Sequence, residues 1–205
     1  MTNARVLLLR HGESTWNAEG RWQGWADPPL SPRGERQALD AAAHLKDAGL
    51  TRVVSSDLVR ARRTAEIVAA ELGLGDVEVE PDLRERSVGE FQGHTTEEVL
   101  ARWPECFDDA RKIVRIPGGE TFDAAAARAI PALLRIARRH EGETVLVATH
   151  GGIVRAIEAH LGVQRDTGMP NLGGRWLEVC AGGPITAGDM VVTVDADLVT
   201  RPASE

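Results

Sequence analysis

Apolar positions in this chain cluster into short unbroken runs and into helical stripes, with little strict alternation. Val6-Leu7-Leu8-Leu9 is apolar at consecutive positions, the pattern of a strand buried on both faces, and it stops abruptly at Arg10-His11-Gly12-Glu13. Thr144-Val145-Leu146-Val147-Ala148-Thr149 repeats that arrangement and leads into His150-Gly151-Gly152, followed by helical spacing through Ile153, Ile157 and Leu161. Between these two segments, residues 13–30 read as a polar loop. Ser31-Pro32 opens a helix that runs to about Leu45 or Ala48 and ends at Gly49. Arg52–Ser55 reads as a short strand. A helix from Ser56-Asp57 then buries Leu58, Ala61, Ala65, Val68, Ala69 and Leu72 and carries Arg60 in its first turn.

Val77–Glu80 alternates like an edge strand, and Pro81–Glu85 leaves it as a loop that sets Glu85 on a rim. Thr95-Thr96-Glu97-Glu98 has capping-box spacing and opens a short helix toward Trp103, which Pro104 interrupts. Pro117–Glu120 is a turn. A long helix follows through Phe122, Ala126, Ile130, Leu133, Leu134 and Ala137, with a kink expected at Pro131. Strands near Arg175–Val179 and Met190–Val194 end the pattern, and no internal repeat appears. The alternation of strands and helices predicts an α/β fold: a three-layer sandwich with a mostly parallel central sheet, one antiparallel strand and helices on both faces. At 205 residues the chain is read as one domain over 1–205.

Composition narrows the function classes. Hydrophobic content of 42% and charge of 27% are those of a soluble globular protein, and no apolar run approaches the roughly 20 residues of a membrane span. The start, Met1-Thr2-Asn3-Ala4-Arg5, lacks the features of a secretory signal, so a cytoplasmic location is expected. Cys106 and Cys180 are expected as reduced thiols. A net charge of −7 argues against nucleic acid as a partner. Basic residues are nearly all arginine, Lys46 and Lys112 being the only lysines, a bias that reads as genome composition except where an arginine falls inside a motif.

The two strand ends carry the chemistry. In α/β sheets ligands bind beyond the carboxyl ends of the strands, which is where His11 and His150 are delivered. Arg10 brings a permanent charge, and the helix that opens at Gly151 offers free amides and a favourable dipole. These groups predict a pocket for a phosphate. The glycine pairs at 118–119, 151–152 and 173–174 form no GxGxxG after a strand, which disfavours a dinucleotide fold.

Leu9–Asn17, Arg21-Trp22-Gln23-Gly24-Trp25 and Leu30-Ser31 resemble the histidine phosphatase superfamily, in the branch of cofactor-dependent phosphoglycerate mutases and their phosphatase relatives. The likeness continues through Ser55–Ala61, Leu83-Arg84-Glu85 with Gly89 and Gln92-Gly93, Gly118-Gly119-Glu120 and His150-Gly151-Gly152. It implies the phosphoglycerate mutase-like fold, with a short cap over about 86–120, and a covalent phosphohistidine mechanism without metal or other cofactor. His11 then looks like the nucleophile: an imidazole with an ordinary pKa of about 6.5 can attack phosphorus when its other nitrogen is held by an acceptor. By the same resemblance, Arg10 and Arg60 clamp the non-bridging oxygens and His150 donates to the phosphate. Glu85 is the proton donor, and Asn17 and Gln23 are amide donors to the phosphate.

Duller roles are assigned elsewhere. His44, His94, His140 and His160 read as structural, Arg62 and Arg63 as surface charges, and Glu120 as a turn-stabilising carboxylate. Trp16, Trp22 and Trp25 are divided evenly between core packing and ligand contact. No His, Cys and Asp spacing suggests a metal site. Within the family the residues favour a phosphatase acting on a small phosphorylated substrate. Glu85 is followed by Arg86-Ser87-Val88-Gly89 rather than the mutase His-Tyr-Gly tract, the chain has no tyrosine, and only about 35 residues separate Glu85 from Thr121. Gly24-Trp25 and Asp27 are mutase-like and keep a cofactor-dependent phosphoglycerate mutase as the alternative, with a catalytically silent phospho-ligand binder behind it. Substrate choice is expected to lie with Phe91, Trp103, Phe107 and Phe122. The edge strand near Glu78 or the C-terminal hairpin could pair two subunits into a homodimer.

Overall fold

The computed structural model describes residues 3–110, 112–164 and 167–200, so Met1, Thr2 and Arg201–Glu205, at the ends of the expected domain, lie outside the described residues. Its centre is a six-stranded sheet of β1 (Asn3–Arg10), β2 (Arg52–Ser55), β3 (Glu78–Val79), β4 (Thr144–Thr149), β5 (Gly173–Cys180) and β6 (Ile185–Val192), in the order β3-β2-β4-β1-β5-β6. β2, β3 and β4 run parallel to β1, whereas β5 pairs antiparallel with both β1 and β6, so β5 is the strand that runs against the rest.

Side-chain direction along β1 explains its unbroken apolar run. Val6 and Leu8 face one side, where they meet Val145, Val147 and the helices α5 (Phe122–Arg139) and α6 (Gly151–His160) through Ala129, Leu133, Ile136, Ile153 and Ile157. Leu7 and Leu9 face the other side, toward Leu146, Ala148 and the helices α2 (Pro32–His44) and α3 (Val59–Leu72) through Ala41, Ala65 and Val68. Each fully buried leucine contributes about 1.5–3 kcal/mol of apolar burial. Helices therefore cover both faces, as the three-layer reading requires.

Several local expectations shift. The segment 13–30 is not all loop: α1 (Thr15–Ala18) forms there, with Ser14 as N-cap and Asn17 completing a capping box in place of Glu or Gln. α3 starts at Val59 rather than Ser56, because the first amide of the helix is capped from a distance by Asp27, whose Oδ1 accepts from Val59 N at 2.7 Å. β3 shortens to Glu78–Val79, and Pro81–Leu83 winds into a 3-10 turn rather than plain loop. β6 begins at Ile185, earlier than its pattern suggests, since an irregularity between Arg175 and Leu177 on β5 lets the less apolar residues 185–189 join the ladder. α5 runs as one element through Pro131, whose ring lies on the exposed side together with Ala127, so solvent can satisfy the carbonyl that loses its donor.

The chain between 86 and 120 holds two 3-10 turns, Gly89–Phe91 and Pro104–Cys106, around α4 (Thr96–Arg102), which Thr95 and Glu98 cap reciprocally. Its aromatics form a small core of their own: Phe91 is buried among Trp22, Val88, Val99 and Trp103, with Phe107 stacked against it at 6.3 Å. The end of β1 is packed more tightly still. A Cβ on Gly12 would lie 2.6 Å from the Gly34 carbonyl oxygen, and a Cβ on Gly34 would lie 2.0 Å from the Glu13 carbonyl oxygen. The histidine-bearing loop thus touches the first turn of α2 backbone to backbone. Gly34→Ala adds up to about 1 kcal/mol of helix propensity but forces this backbone contact apart. Net destabilisation of about 1–3 kcal/mol is expected in urea titrations, and an unchanged midpoint would show that the loop can yield.

Candidate active site

Strand register places the histidines. Arg10 lies opposite Thr149 at the ends of β1 and β4, and one residue further His11 N donates to Thr149 O at 2.9 Å. The His11 and His150 rings come to 5.2 Å between centroids at an interplanar angle of 64°. Both rings are buried, as are the guanidiniums of Arg10 and Arg60, at 1% and 0% exposed.

His11 is held in one orientation. Its Nδ1 lies 2.6 Å from the Gly12 carbonyl oxygen, to which it donates, and its Nε2 accepts from Arg60 Nε at 3.2 Å. This assigns the proton to Nδ1 and the lone pair to Nε2. Around it, Gly12 N donates to Thr64 Oγ1, Glu13 N donates to Gln37 Oε1, and Asn171 Nδ2 donates to the His11 carbonyl at 2.8 Å. Burial first, then the Arg60 and Arg10 guanidiniums, hold the His11 pKa well below its ordinary 6.5. His150 is lowered in the same direction by burial, Arg60, His11, Arg10 and Arg128. Arg60 is fixed by the carbonyls of Ala26 and Gly24 at 2.7 and 2.9 Å, and Arg10 Nη1 donates to the Met169 carbonyl.

Glu85 reaches the same centre from the loop after β3. Its Oε2 accepts from Gly152 N at 3.2 Å and its Oε1 from Arg86 N at 2.7 Å. The carboxyl lies so close to α6 that a Cβ on Gly152 would come within 2.4 Å of Oε1, which explains the second glycine after His150. The loop is pinned by Thr149 Oγ1 donating to Leu83 O at 2.9 Å and by Trp25 Nε1 donating to Glu85 O at 2.7 Å. Arg128 adds bonds to the carbonyls of Asp82, Arg84 and Glu85 and an ion pair with Glu120 at 2.9 Å. Burial works against the charged Glu120, but Arg128 and the Ser87 amide outweigh it and hold the carboxyl below its usual range. Glu120 is thus a strut for this loop, as its sequence context indicates.

These groups open on a cavity of about 430 Å³. Its lining includes Arg10, His11, Asn17, Gln23, Arg60 and Glu85 of the residues singled out from the sequence. The carboxamide oxygens of Asn17 and Gln23 are occupied by Ser14, which leaves their NH2 groups as donors. His150 is buried against the ring of His11, which lines the space, and at the start of α6 it is Gly152 rather than Gly151 that does so. Of the four aromatics expected to select substrate, only Phe122 lines the cavity; Phe91, Trp103 and Phe107 are spent on the small core of the 86–120 segment. Trp22 does both, and Trp25 is half exposed. Arg62 and Arg63 lie on the surface, paired with Glu66 and Glu35.

Sequence reasoning missed several lining residues. Arg86 and Arg155 flank the Phe122 ring, with guanidinium carbons 4.3 and 4.8 Å from its centroid. Arg155 follows Gly152 by three residues and so shares its helical face, a signal that was available. Asn171 and Thr200 arrive from distant segments, with Thr200 Oγ1 donating to Asn171 Oδ1 at 2.9 Å, and nothing local marks them. Asp40, His44 and Asp195 also meet, on the surface and away from this cavity, a grouping that spacing in the chain does not reveal.

Comparison with known proteins identifies the family. Residues 6–180 match the histidine phosphatase superfamily (branch 1). The chain is 42% identical over 159 residues to a phosphoglycerate mutase-like protein of Arabidopsis thaliana, covering 75% of this chain and 69% of that one. It is 43% identical over 157 residues to a metal-independent phosphoserine phosphatase of the same plant, covering 74% of this chain and 66% of the relative. The solved structure of a mycobacterial glucosyl-3-phosphoglycerate phosphatase with VO3 superposes with a TM-score of 0.75 at 30% identity, covering 90% of this chain and 97% of that one. A match over most of the sequence, joined to this fold, places the chain in the histidine phosphatase superfamily.

Proposed function

We propose that the cavity hydrolyses small phosphomonoesters through a phosphohistidine on His11. The observation that carries this reading is the convergence of two neutral imidazoles and two buried guanidiniums at the mouths of β1 and β4. His11 Nε2 attacks phosphorus with its lone pair while the bond from phosphorus to the ester oxygen breaks. Arg10, Arg60 and His150 take the charge spread over the non-bridging oxygens, a role planar guanidiniums suit. Glu85 gives its proton to the departing alkoxide. The resulting carboxylate then takes a proton from water, whose oxygen attacks phosphorus as the phosphorus–nitrogen bond breaks, releasing phosphate and neutral His11. No metal enters these steps. The reading takes the protein to act in the cytoplasm, a setting that the buried thiol of Cys106 suits.

Beside Glu85 in the cavity lining, Arg86 and Arg155 set positive charge around Phe122, where a second group of the substrate could meet it. This arrangement favours phosphomonoesters that carry a further anionic group. The mutase alternative rests on the same catalytic groups and differs in what receives the phosphoryl group.

Wild-type protein should hydrolyse p-nitrophenyl phosphate without added metal and form an acid-labile labelled adduct, whereas His11→Ala should lose at least about a thousandfold in kcat and the adduct with it. Efficient interconversion of phosphoglycerates in the presence of 2,3-bisphosphoglycerate would instead favour the mutase. For Arg155→Ala, kcat/KM for phosphoserine relative to p-nitrophenyl phosphate should fall about tenfold, since one charge-assisted contact is removed.

The neutral rings also make a pH signature. Unfolded imidazoles protonate near 6.5, but His11 and His150 in the folded protein do so only well below that, so the unfolded state binds more protons in the interval. Stability should be complete above pH 6.5 and fall as pH drops beneath it, by up to about 1.4 kcal/mol per pH unit for each ring. Urea titrations from pH 7.5 to 5 should show this slope, and it should flatten in the His11→Gln/His150→Gln double variant.

A further inference from the structure

We propose that Ser56 is the positioning residue that fixes the tautomer of His150, holding its proton on Nδ1 so that a neutral ring presents an N–H to the bound phosphoryl group. The tautomer stands on geometry alone, and its catalytic use rests on the phosphatase reading above.

Ser56 follows β2 directly. Ser55 lies opposite Ala148, and Ser56 N donates to Ala148 O at 3.0 Å, which brings the Ser56 side chain level with the end of β4. There its Oγ lies 2.9 Å from His150 Nε2, both residues being fully buried. Two proton placements fit this pair. In one, Nε2–H donates to the hydroxyl; in the other, the hydroxyl donates to a bare Nε2. Leu58 N also donates to the same Oγ, at 3.3 Å. Under the first placement the oxygen accepts twice and its own hydrogen needs another acceptor, of which none is seen among the described residues. Under the second, the hydroxyl accepts from Leu58, donates to His150 and is satisfied.

The proton of a neutral His150 then sits on Nδ1. Among the described residues Nδ1 has no hydrogen-bond partner, although it is buried beside His11. A buried donor without a partner is what a ligand oxygen would complete. The choice of a hydroxyl over a carboxylate matters here. A carboxylate at Nε2 would hold the proton on that nitrogen and turn the Nδ1 lone pair toward the phosphate, a repulsive contact. Burial and the neighbouring guanidiniums oppose a doubly protonated ring, so the hydroxyl and the cationic surroundings act together.

Long-range proton–nitrogen NMR correlation on protein labelled with nitrogen-15 in its histidine rings tests this, the His150 signals being assigned by their loss in His150→Gln. The expected wild-type spectrum shows Nδ1 protonated and Nε2 bare. Ser56→Ala should shift the ring toward the Nε2–H form and lower kcat for p-nitrophenyl phosphate about tenfold to a hundredfold with a smaller change in KM. Ser56→Thr, which keeps the hydroxyl, should restore both. A wild-type ring found as Nε2–H overturns the proposal, as does a Ser56→Ala protein with unchanged spectrum and kcat. If the alanine variant does not fold, the wild-type spectrum still decides the tautomer. Wild-type protein without phosphatase activity but with Nδ1 protonated would sink the phosphatase reading and leave the tautomer assignment standing.

Discussion

The parallel pairing of β1 with β4 is the constraint on which the site depends. It brings residues about 140 positions apart into adjacent register, so that one backbone bond, His11 N to Thr149 O, joins the two histidine-bearing turns. Side-chain packing on both faces of these strands fixes that register, because a slip of one residue would send every leucine and valine of β1 to the wrong helix layer. Catalytic geometry is therefore secured by the most deeply buried part of the molecule and not by the loops that carry its polar groups.

Around that joint, charged groups are held largely by the protein backbone. Arg60 is fastened to the carbonyls of Gly24 and Ala26, and Glu85 to the amides of Arg86 and Gly152. Backbone partners set position by geometry, and so hold these positive groups at the mouth of the sheet in a chain that is acidic as a whole. Desolvation does the complementary work on the imidazoles, keeping them neutral where a protonated ring would be useless for attack.

How much of this was legible in the sequence depended on the range over which each feature is determined. The central strands and main helices were readable because burial on two faces writes itself as a continuous apolar run, and helix starts such as Ser31-Pro32 and Thr95–Glu98 carry their own caps. His11 and His150 were legible from the same grammar, and Glu85 and Arg60 from the resemblance of their motifs. What escaped was set at a distance. The start of α3 depends on Asp27, more than thirty residues earlier. Asn171 and Thr200 enter the cavity from beyond β4, and the fate of Phe91 and Trp103 was decided by a cluster whose members are scattered from 22 to 116. A local pattern can announce that an aromatic will be buried, but not which of two neighbouring spaces it will fill.

The contact between Glu85 and the first turn of α6 has a consequence for the sequence of events in turnover. With one carboxyl oxygen tied to Gly152 and the other to Arg86, this side chain has little freedom to swing between two stations. On the mechanism proposed for this site, proton delivery and proton removal occur at a single spot, so the departing alcohol and the incoming water compete for the same space. Hydrolysis can proceed only after the alcohol has vacated it. An enzyme built this way is exposed to interception: any small hydroxyl compound that takes the vacated position ahead of water would carry the phosphoryl group away as a new ester.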